Sequence, residues 1–284
     1  MTLLNALLSE HIRSQVAFAL KEDIGAGDIT AQLIPDNEEI TATIISREEA
    51  ILCGQEWVNE VFSQLAGSVS LDWHNKDGDL IEANRPFLTL KGHARTILTG
   101  ERVALNFLQT LSYTATVTHQ YSQIVSGSNL TILDTRKTIP GMRQAQKYAV
   151  TVGGGKNHRF GLYDAFLIKE NHIMAAGSIT NAVSMAQNIA PGKTIEVETE
   201  NLEEVALAVK AGADIIMLDN FSYDDMKTAV QKFKGQVKFE ASGNMTKEHL
   251  LKVAETGVDF VSIGALTKHV QAIDLSLRVS QEKS

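Results

Sequence analysis

From residue 131 onward the chain repeats one theme: a short apolar run, a polar or charged residue where the run stops, then a helical stretch. The runs are TILDTRK at 131, AFLIKEN at 165, TIEVETEN at 194, IIMLDN at 215, VKFEASGN at 237 and FVSIGA at 260. They stop at Asp134, Lys169, Glu198, Asp219, Glu240 and Gly264. Between them, LEEVALAVKAGA and KEHLLKVAETGV place apolar residues at helical spacing and finish on a glycine, a common helix terminator. The last three gaps, near 21 to 24 residues, suit one strand, one helix and two short loops. Six β/α units in series predict a parallel sheet, and their even spacing favours a barrel over a doubly wound sheet. Six strands are fewer than the eight of a full barrel. The expected fold is therefore an incomplete or modified β/α barrel, with any extra strand before 131 or around 150.

The first hundred or so residues follow another pattern. Leu3, Leu4, Leu7, Leu8 and Ile12 recur at helical spacing, and EDIGAGDIT is turn-rich. Residues 42–46, 50–52 and 87–90 then read as short strands, so an α+β domain is expected. A long helix is predicted from near Ala94, with Leu98, Leu105 and Leu108 on one stripe. Arg102 falls on that stripe, where an arginine ordinarily snorkels at the edge or pairs with a neighbour such as Glu101.

Composition narrows the function more than the fold. With 284 residues, 44% hydrophobic and 21% charged, the chain is an ordinary globular protein that needs no disulfide staple. Its single cysteine, Cys53, fits a reducing compartment, and no stretch of about 20 apolar residues or targeting signal is evident, so a cytoplasmic location is expected. A net charge of −8 argues against general binding to nucleic acid or anionic membrane. Residues 134–172 nevertheless carry seven Lys or Arg against three acids. A basic island in an acidic protein suggests a site for a small polyanion.

In a β/α barrel the loops after the strands converge on one mouth. The residues placed there include Arg136, Lys137, Lys169, His172, Glu198, Asp219, Glu240, Ser242, Gly243, Asn244 and Gly264. Singly, Lys169 reads as a solvated strand-end charge, an anion binder or a Schiff-base lysine. Glu198 and Asp219 read as helix N-terminal charges or as oxygen ligands for Mg²⁺. Placed together on one rim, they read as a site. Gly153, Gly154 and Gly155, ahead of His158 and Arg159, suit a segment that closes on substrate, although VTVGGGKN is not a Walker motif. EASGN and SIGA put small residues and backbone N–H groups at the last two strand ends, the usual barrel position for a phosphate.

The blocks EDIGAGDIT, GERVALNFLQ, ILDTRKTIPGMR, GGGKNHRFGLYDAFLIKENHI, ADIIMLDN, EASGN and GVDFVSIGALTKHVQAIDLSL resemble, in order and over nearly the whole chain, the quinolinate phosphoribosyltransferase family. One departure is SYTAT at 112–116, where the family usually reads SGIAT. The resemblance implies an α+β domain over 1–112, a β/α-barrel phosphoribosyltransferase domain over 113–270, and a C-terminal helix near 271–284 that packs back on the first domain. It implies joining quinolinate to phosphoribosyl pyrophosphate, with Mg²⁺, to give nicotinate mononucleotide, CO₂ and pyrophosphate in NAD biosynthesis. By similarity, Arg136, His158, Arg159 and Lys169 would surround the dicarboxylate, with His172 nearby and Lys137 also facing the pyrophosphate. Lys137, Lys169, Glu198 and Asp219 would be the catalytic set, with Glu198 and Asp219 holding the metal. Ser242, Gly243, Asn244 and Gly264 would receive the 5-phosphate. Arg102 would reach the neighbouring subunit's site, making a homodimer the minimum unit, or part of a higher oligomer.

Two other readings compete. A barrel aldolase would use Lys169 as a Schiff-base nucleophile, which calls for a largely apolar pocket. A non-catalytic nucleotide-binding homologue would keep the fold and lose turnover.

Overall fold

A computed structural model describes residues 3–243 and 245–280, and the chain divides into two compact units. The first comprises 1–119, 139–154 and 269–284, and the second 120–138 and 155–268.

In the first unit, helix α1 (Leu3–Ile24) is followed by strands β1 (Glu39–Ser46) and β2 (Ala50–Ile51) and helix α2 (Gln55–Gln64). Strands β3 (Val69–Trp73), β4 (Leu80–Ile81) and β5 (Pro86–His93) lead into the long helix α3 (Ala94–Ile124). Ile12, Val16 and Leu20 bury one α1 face at i, i+4 and i+8. The main antiparallel sheet contains β1, β5, β3 and a strand from the C-terminus, and it turns Ala42, Ile44, Leu88 and Leu90 into a core with Trp57 and Phe87. On α3 the buried stripe runs through Ile97, Ala104, Leu105, Leu108, Leu111 and Ala115. Leu98 is only half-buried and Arg102 is exposed, so Arg102 lies beside the apolar stripe rather than on it.

The SYTAT side chains serve the packing of this helix. Ser112 Oγ accepts the Cys53 N–H at 3.0 Å, and Thr116 Oγ1 accepts the Ile51 N–H at 2.8 Å, satisfying backbone donors that would otherwise be stranded beside α3. EDIGAGDIT is structural too: Asp28 accepts the Thr30 and Ala31 N–H groups and the Thr99 hydroxyl, which caps a 3₁₀ turn (Ala31–Leu33) and ties it to α3. These hydrogen bonds hold the half-buried Asp28 carboxyl below its ordinary range.

Strand β6 (Thr131–Leu133) opens the second unit, but helix α4 (Arg143–Val152) returns to the first, where the Tyr148 hydroxyl donates to Asp77 at 2.9 Å. Gly153 ends α4, and a Cβ there would stand 2.7 Å from Thr118 Cβ and against the Ala115 carbonyl oxygen. The glycine run therefore ends a helix and allows close backbone approach.

The second unit continues with β7 (Phe166–Ile168), α5 (Glu170–Ala176), α6 (Ile179–Ile189), β8 (Ile195–Thr199) and α7 (Leu202–Ala211). Then come β9 (Ile215–Asp219), α8 (Tyr223–Phe233), β10 (Lys238–Ser242), α9 (Lys247–Ala254), β11 (Phe260–Ser262) and α10 (Ala265–Lys268). All six expected strands form one parallel sheet in the order β6-β11-β10-β9-β8-β7. A one-residue parallel bridge from Leu133 to Lys156 adds to the free side of β6, with the Lys156 N–H donating to Ile132 O at 2.9 Å. The extra strand expected around 150 is thus reduced to a single bridge, and the domain is barrel-like but incomplete. Side-chain caps on the connecting helices, such as Ser178 on α6 and Asn201 on α7, satisfy the first free N–H groups.

One expectation is overturned. No helix lies between 271 and 280; β12 (Leu275–Ser280) runs antiparallel to β1, pairing Thr43 with Arg278 and Ile45 with Ser276. Residues 281–284 lie outside the described residues. The alternation of Leu275 and Leu277 with Ser276 and Arg278 is the period of a half-buried edge strand, and pairing satisfies β1's open side. Among the described residues no helix is long and apolar enough to cross a membrane.

Candidate active site

A cavity of about 420 Å³ opens on the ends of the second unit's parallel strands. It is lined by Arg136 and Lys137 after β6, His158 and Arg159 after the Lys156 bridge, and Lys169 after β7. Glu198, Asp219, Glu240, Ser242 and Ser262 come from β8, β9, β10 and β11. Eight of the thirteen residues expected at the site, Ser242 among them, thus share one wall, an arrangement that no single loop could make.

Each loop is held by local chemistry. Asp134, fully buried, accepts the His158 N–H at 2.9 Å and the Asn157 amide at 2.6 Å, fixing the start of the NHR segment. Asp164 accepts the Phe160 and Gly161 N–H groups and closes its end. Lys137 is anchored through its backbone: its N–H donates to Thr135 Oγ1 at 3.0 Å and its carbonyl accepts the Thr267 hydroxyl at 2.8 Å. Gly264 packs beside it, and a Cβ there would sit 3.1 Å from Lys137 Cδ and push the lysine side chain aside. Lys169 Nζ is ion-paired to Glu198.

The electrostatics are those of a site for a multiply charged anion. Burial lowers the Arg159 pKa, and Arg136 beside it lowers it further, while Glu196 and Asp164 oppose the shift. Two guanidiniums held near each other form a ready receptor for paired carboxylates. Glu198 and Asp219, both half-buried, place oxygen donors at the same mouth. The Asn220 amide donates to Asp219 at 2.9 Å, and Asn220 itself takes the left-handed conformation at φ 57°.

Some expected residues stand elsewhere. His172 lies in the first turn of α5 and does not line this cavity; its Nδ1 accepts the Lys169 N–H at 3.0 Å, a helix-capping bond. Gly243 and Gly264 occupy the loops after β10 and β11 without lining the cavity, and Gly243 has φ 133°. Asn244 lies outside the described residues. Arg102 belongs to the other unit. The basic island is also divided: Arg143 and the fully buried Lys147 sit on α4 in the first unit, leaving Arg136, Lys137, Arg159 and Lys169 as its cavity cations.

The strand ends conceal one further correction. Glu198 lies inside β8 and Glu240 in the middle of β10, with Glu240 fully buried. Glu196, two residues before Glu198 and on the same face, is 3% exposed and receives His158 Nε2 at 2.8 Å. Glu196 does not stand at the end of its apolar run, so a search of run ends passes over it. The alternation in IEVET was the available signal, since two acids spaced by two on a parallel strand must share one face.

Fold and site together define an α/β protein with a cavity of mixed charge at the ends of a six-stranded parallel sheet. Family models for the N-terminal and C-terminal domains of quinolinate phosphoribosyl transferase match residues 28–112 and 114–278. The chain belongs to the quinolinate phosphoribosyltransferase family. It is 43% identical over 260 residues to the probable nicotinate-nucleotide pyrophosphorylase [carboxylating] of Bacillus subtilis (strain 168), covering 91% of this chain and 90% of the relative. It is 39% identical to the chloroplastic nicotinate-nucleotide pyrophosphorylase [carboxylating] of Arabidopsis thaliana, covering 95% of this chain and 83% of the relative. The solved nicotinate-nucleotide pyrophosphorylase from Francisella tularensis superposes with a TM-score of 0.93 at 51% identity, covering 96% of this chain and 97% of that one.

Proposed function

We propose that this chain is a carboxylating nicotinate-nucleotide pyrophosphorylase, a pentosyltransferase that transfers phosphoribosyl from phosphoribosyl pyrophosphate to quinolinate. The products are nicotinate mononucleotide, CO₂ and pyrophosphate, a step of NAD biosynthesis. The observation that carries this reading is the single cavity in which Arg136, Lys137, Arg159 and Lys169 face Glu198 and Asp219.

The reaction calls for both signs of charge. As pyrophosphate leaves, positive charge grows on the ribose and negative charge on the leaving group, so carboxylates beside the sugar and cations beside the phosphates stabilise opposite ends. Arg136 and Arg159 suit the two carboxylates of quinolinate, and Lys137 suits the pyrophosphate. The carboxylates of Glu198 and Asp219 are hard oxygen donors at the mouth, a set that fits Mg²⁺. Bound there, Mg²⁺ would neutralise charge on the departing pyrophosphate. The loops at Gly243 and Gly264, with Ser242, are the site offered to the 5-phosphate.

Support for a two-subunit site comes from the exposure of Arg102 on α3, which leaves its guanidinium available to a second copy. A cytoplasmic location goes with the reaction and the single buried thiol of Cys53. Neither competing reading gains an observation: Lys169 is ion-paired within a polar cavity, the opposite of the apolar pocket that a Schiff-base lysine needs.

The test is a pair of assays with phosphoribosyl pyrophosphate and Mg²⁺, one with quinolinate and one with nicotinate. Mononucleotide and CO₂ from quinolinate alone are expected, because nicotinate leaves part of the cationic wall unpaired. Turnover of nicotinate alone would overturn the two-carboxylate pocket.

A further inference from the structure

Strand β9 ends at Asp219, and consecutive side chains of a strand point to opposite faces, so the next residue would ordinarily turn away from Asp219. Asn220 does not. Its backbone, at φ 57°, is left-handed, a state that among the described non-glycine residues is shared only by Asn84, in the turn before β5. The bend brings the Asn220 side chain back alongside Asp219, where its Nδ2 donates to Asp219 Oδ2 at 2.9 Å. Its backbone N–H donates to Ser242 O at 3.1 Å, one residue beyond the Asp219–Ser242 pair at the end of the β9–β10 ladder.

The other end of the same amide lies against the neighbouring loop. A carboxylate only accepts, so the nitrogen must face Asp219 and the oxygen is the end turned to Gly243. A Cβ on Gly243 would stand 2.7 Å from Asn220 Oδ1 and 3.5 Å from its Cγ. Gly243 has φ 133°, and its carbonyl accepts the Met245 N–H at 2.9 Å, so the chain turns sharply beside the amide. One exposed side chain therefore adjoins both the carboxylate read as a metal ligand and the loop read as the seat of the 5-phosphate.

We propose that Asn220 is a positioning residue of the phosphoribosyl transfer: its amide sets the Asp219 carboxylate for the divalent ion and seats the Gly243 loop against it. The inference rests on the reading under Proposed function. A carboxylate at a strand end turns about its own side-chain bonds, and a ligand already held in place binds a metal more tightly than one that must first be ordered. The bond to Oδ2 removes that freedom and leaves Oδ1 for the ion. Seating the loop with the same group links the two ends of one substrate, because the pyrophosphate and the 5-phosphate are carried on one ribose. Asparagine suits the position: it tolerates the left-handed backbone and brings a donor and an acceptor without charge. Glycine would keep the backbone and lose both contacts, and aspartate would set a second negative charge beside Asp219.

The test is a double-mutant cycle on the full chain, read by calorimetric binding of phosphoribosyl pyrophosphate with saturating Mg²⁺ and with EDTA, in the absence of quinolinate. Asn220→Gly keeps the left-handed backbone, so its melting temperature should stay near wild type. With Mg²⁺ its affinity should fall roughly 3–10-fold, the worth of one exposed hydrogen bond, and with EDTA the loss should be smaller. In turnover, KM for phosphoribosyl pyrophosphate should rise by a similar factor while kcat changes little. Gly243→Ala should also weaken binding with Mg²⁺, since its Cβ pushes the amide from Asp219, yet add little in the Asn220→Gly background. Unchanged affinity in Asn220→Gly, an equal loss with Mg²⁺ and with EDTA, or losses that simply add in the double variant would each overturn the proposal. Failure of the underlying reading looks different. Wild type that turns over no quinolinate would sink the reaction assignment, and wild type whose binding ignores Mg²⁺ would sink the metal site and this proposal with it.

Discussion

The two compact units place opposite chemistry at their centres. The first buries Trp57, Phe87, Ile44 and Leu108, and its inward polar groups, such as Ser112, serve backbone donors. The second keeps Asp134, Glu196 and Glu240 in the interior of its sheet domain, facing His158 and a cationic rim. An apolar interior is stabilised by burial alone, whereas a buried acid must be matched by a proton, a hydrogen bond or an opposite charge. The first arrangement secures a fold; the second gives up stability to hold reactive groups in place.

Mutations in the two units should therefore fail differently. Trp57→Ala should cost about 3–5 kcal/mol of stability, read as a lowered denaturation midpoint, because its fully buried side chain leaves a cavity. Arg136→Ala or Arg159→Ala should do the reverse, lowering kcat/KM for quinolinate roughly 10²–10³-fold with the melting temperature little changed, since a charged substrate carboxylate loses its partner. Equal loss of stability in both classes would erase the contrast.

Smaller effects sharpen it. The folded protein holds a proton on Glu240 up to pH about 8, while the unfolded chain releases it near 4.5. Stability should consequently fall as pH rises between those values, and this slope should be missing in Glu240→Gln measured by urea unfolding across the range. Ser112→Ala should cost about 1–3 kcal/mol by stranding the Cys53 N–H, with no pH dependence. Asp28→Ala should cost about 1 kcal/mol, the value of one helix cap, measurable as a small drop in melting temperature.

The parallel strands were readable because each is a short apolar run stopped by a charged residue or, at Gly264, by a glycine, and that pattern depends only on near neighbours. Strand β12 was misread as a helix: the alternation of Leu275 and Leu277 with Ser276 and Arg278 is too short to settle the matter alone, and it becomes a strand where β1 offers an open edge. Arg102 was misplaced for a related reason: Leu105 and Leu108 do lie on the buried stripe of α3, but Leu98 is only half-buried and the stripe continues through Ile97, Ala104 and Leu111, which leaves Arg102 beside it. The cavity cations Arg136, Lys137, Arg159 and Lys169 were found from local charge, but the same count included Arg143 and Lys147, which α4 carries into the other unit.

By itself the sequence determined the order of the β/α units, the mixed character of the first hundred residues and the identity of the polar groups at the strand ends. These follow from periodicity and from chemical type, both of which act over a few residues. Only the tertiary structure decided that His158 turns inward, that Glu196 and Glu240 confront each other across the intervening strand β9, and that Gly153 is required by Ala115 and Thr118. Those outcomes depend on how strands distant in sequence are laid side by side, and burial then changes what a carboxylate of unchanged covalent structure does with its proton.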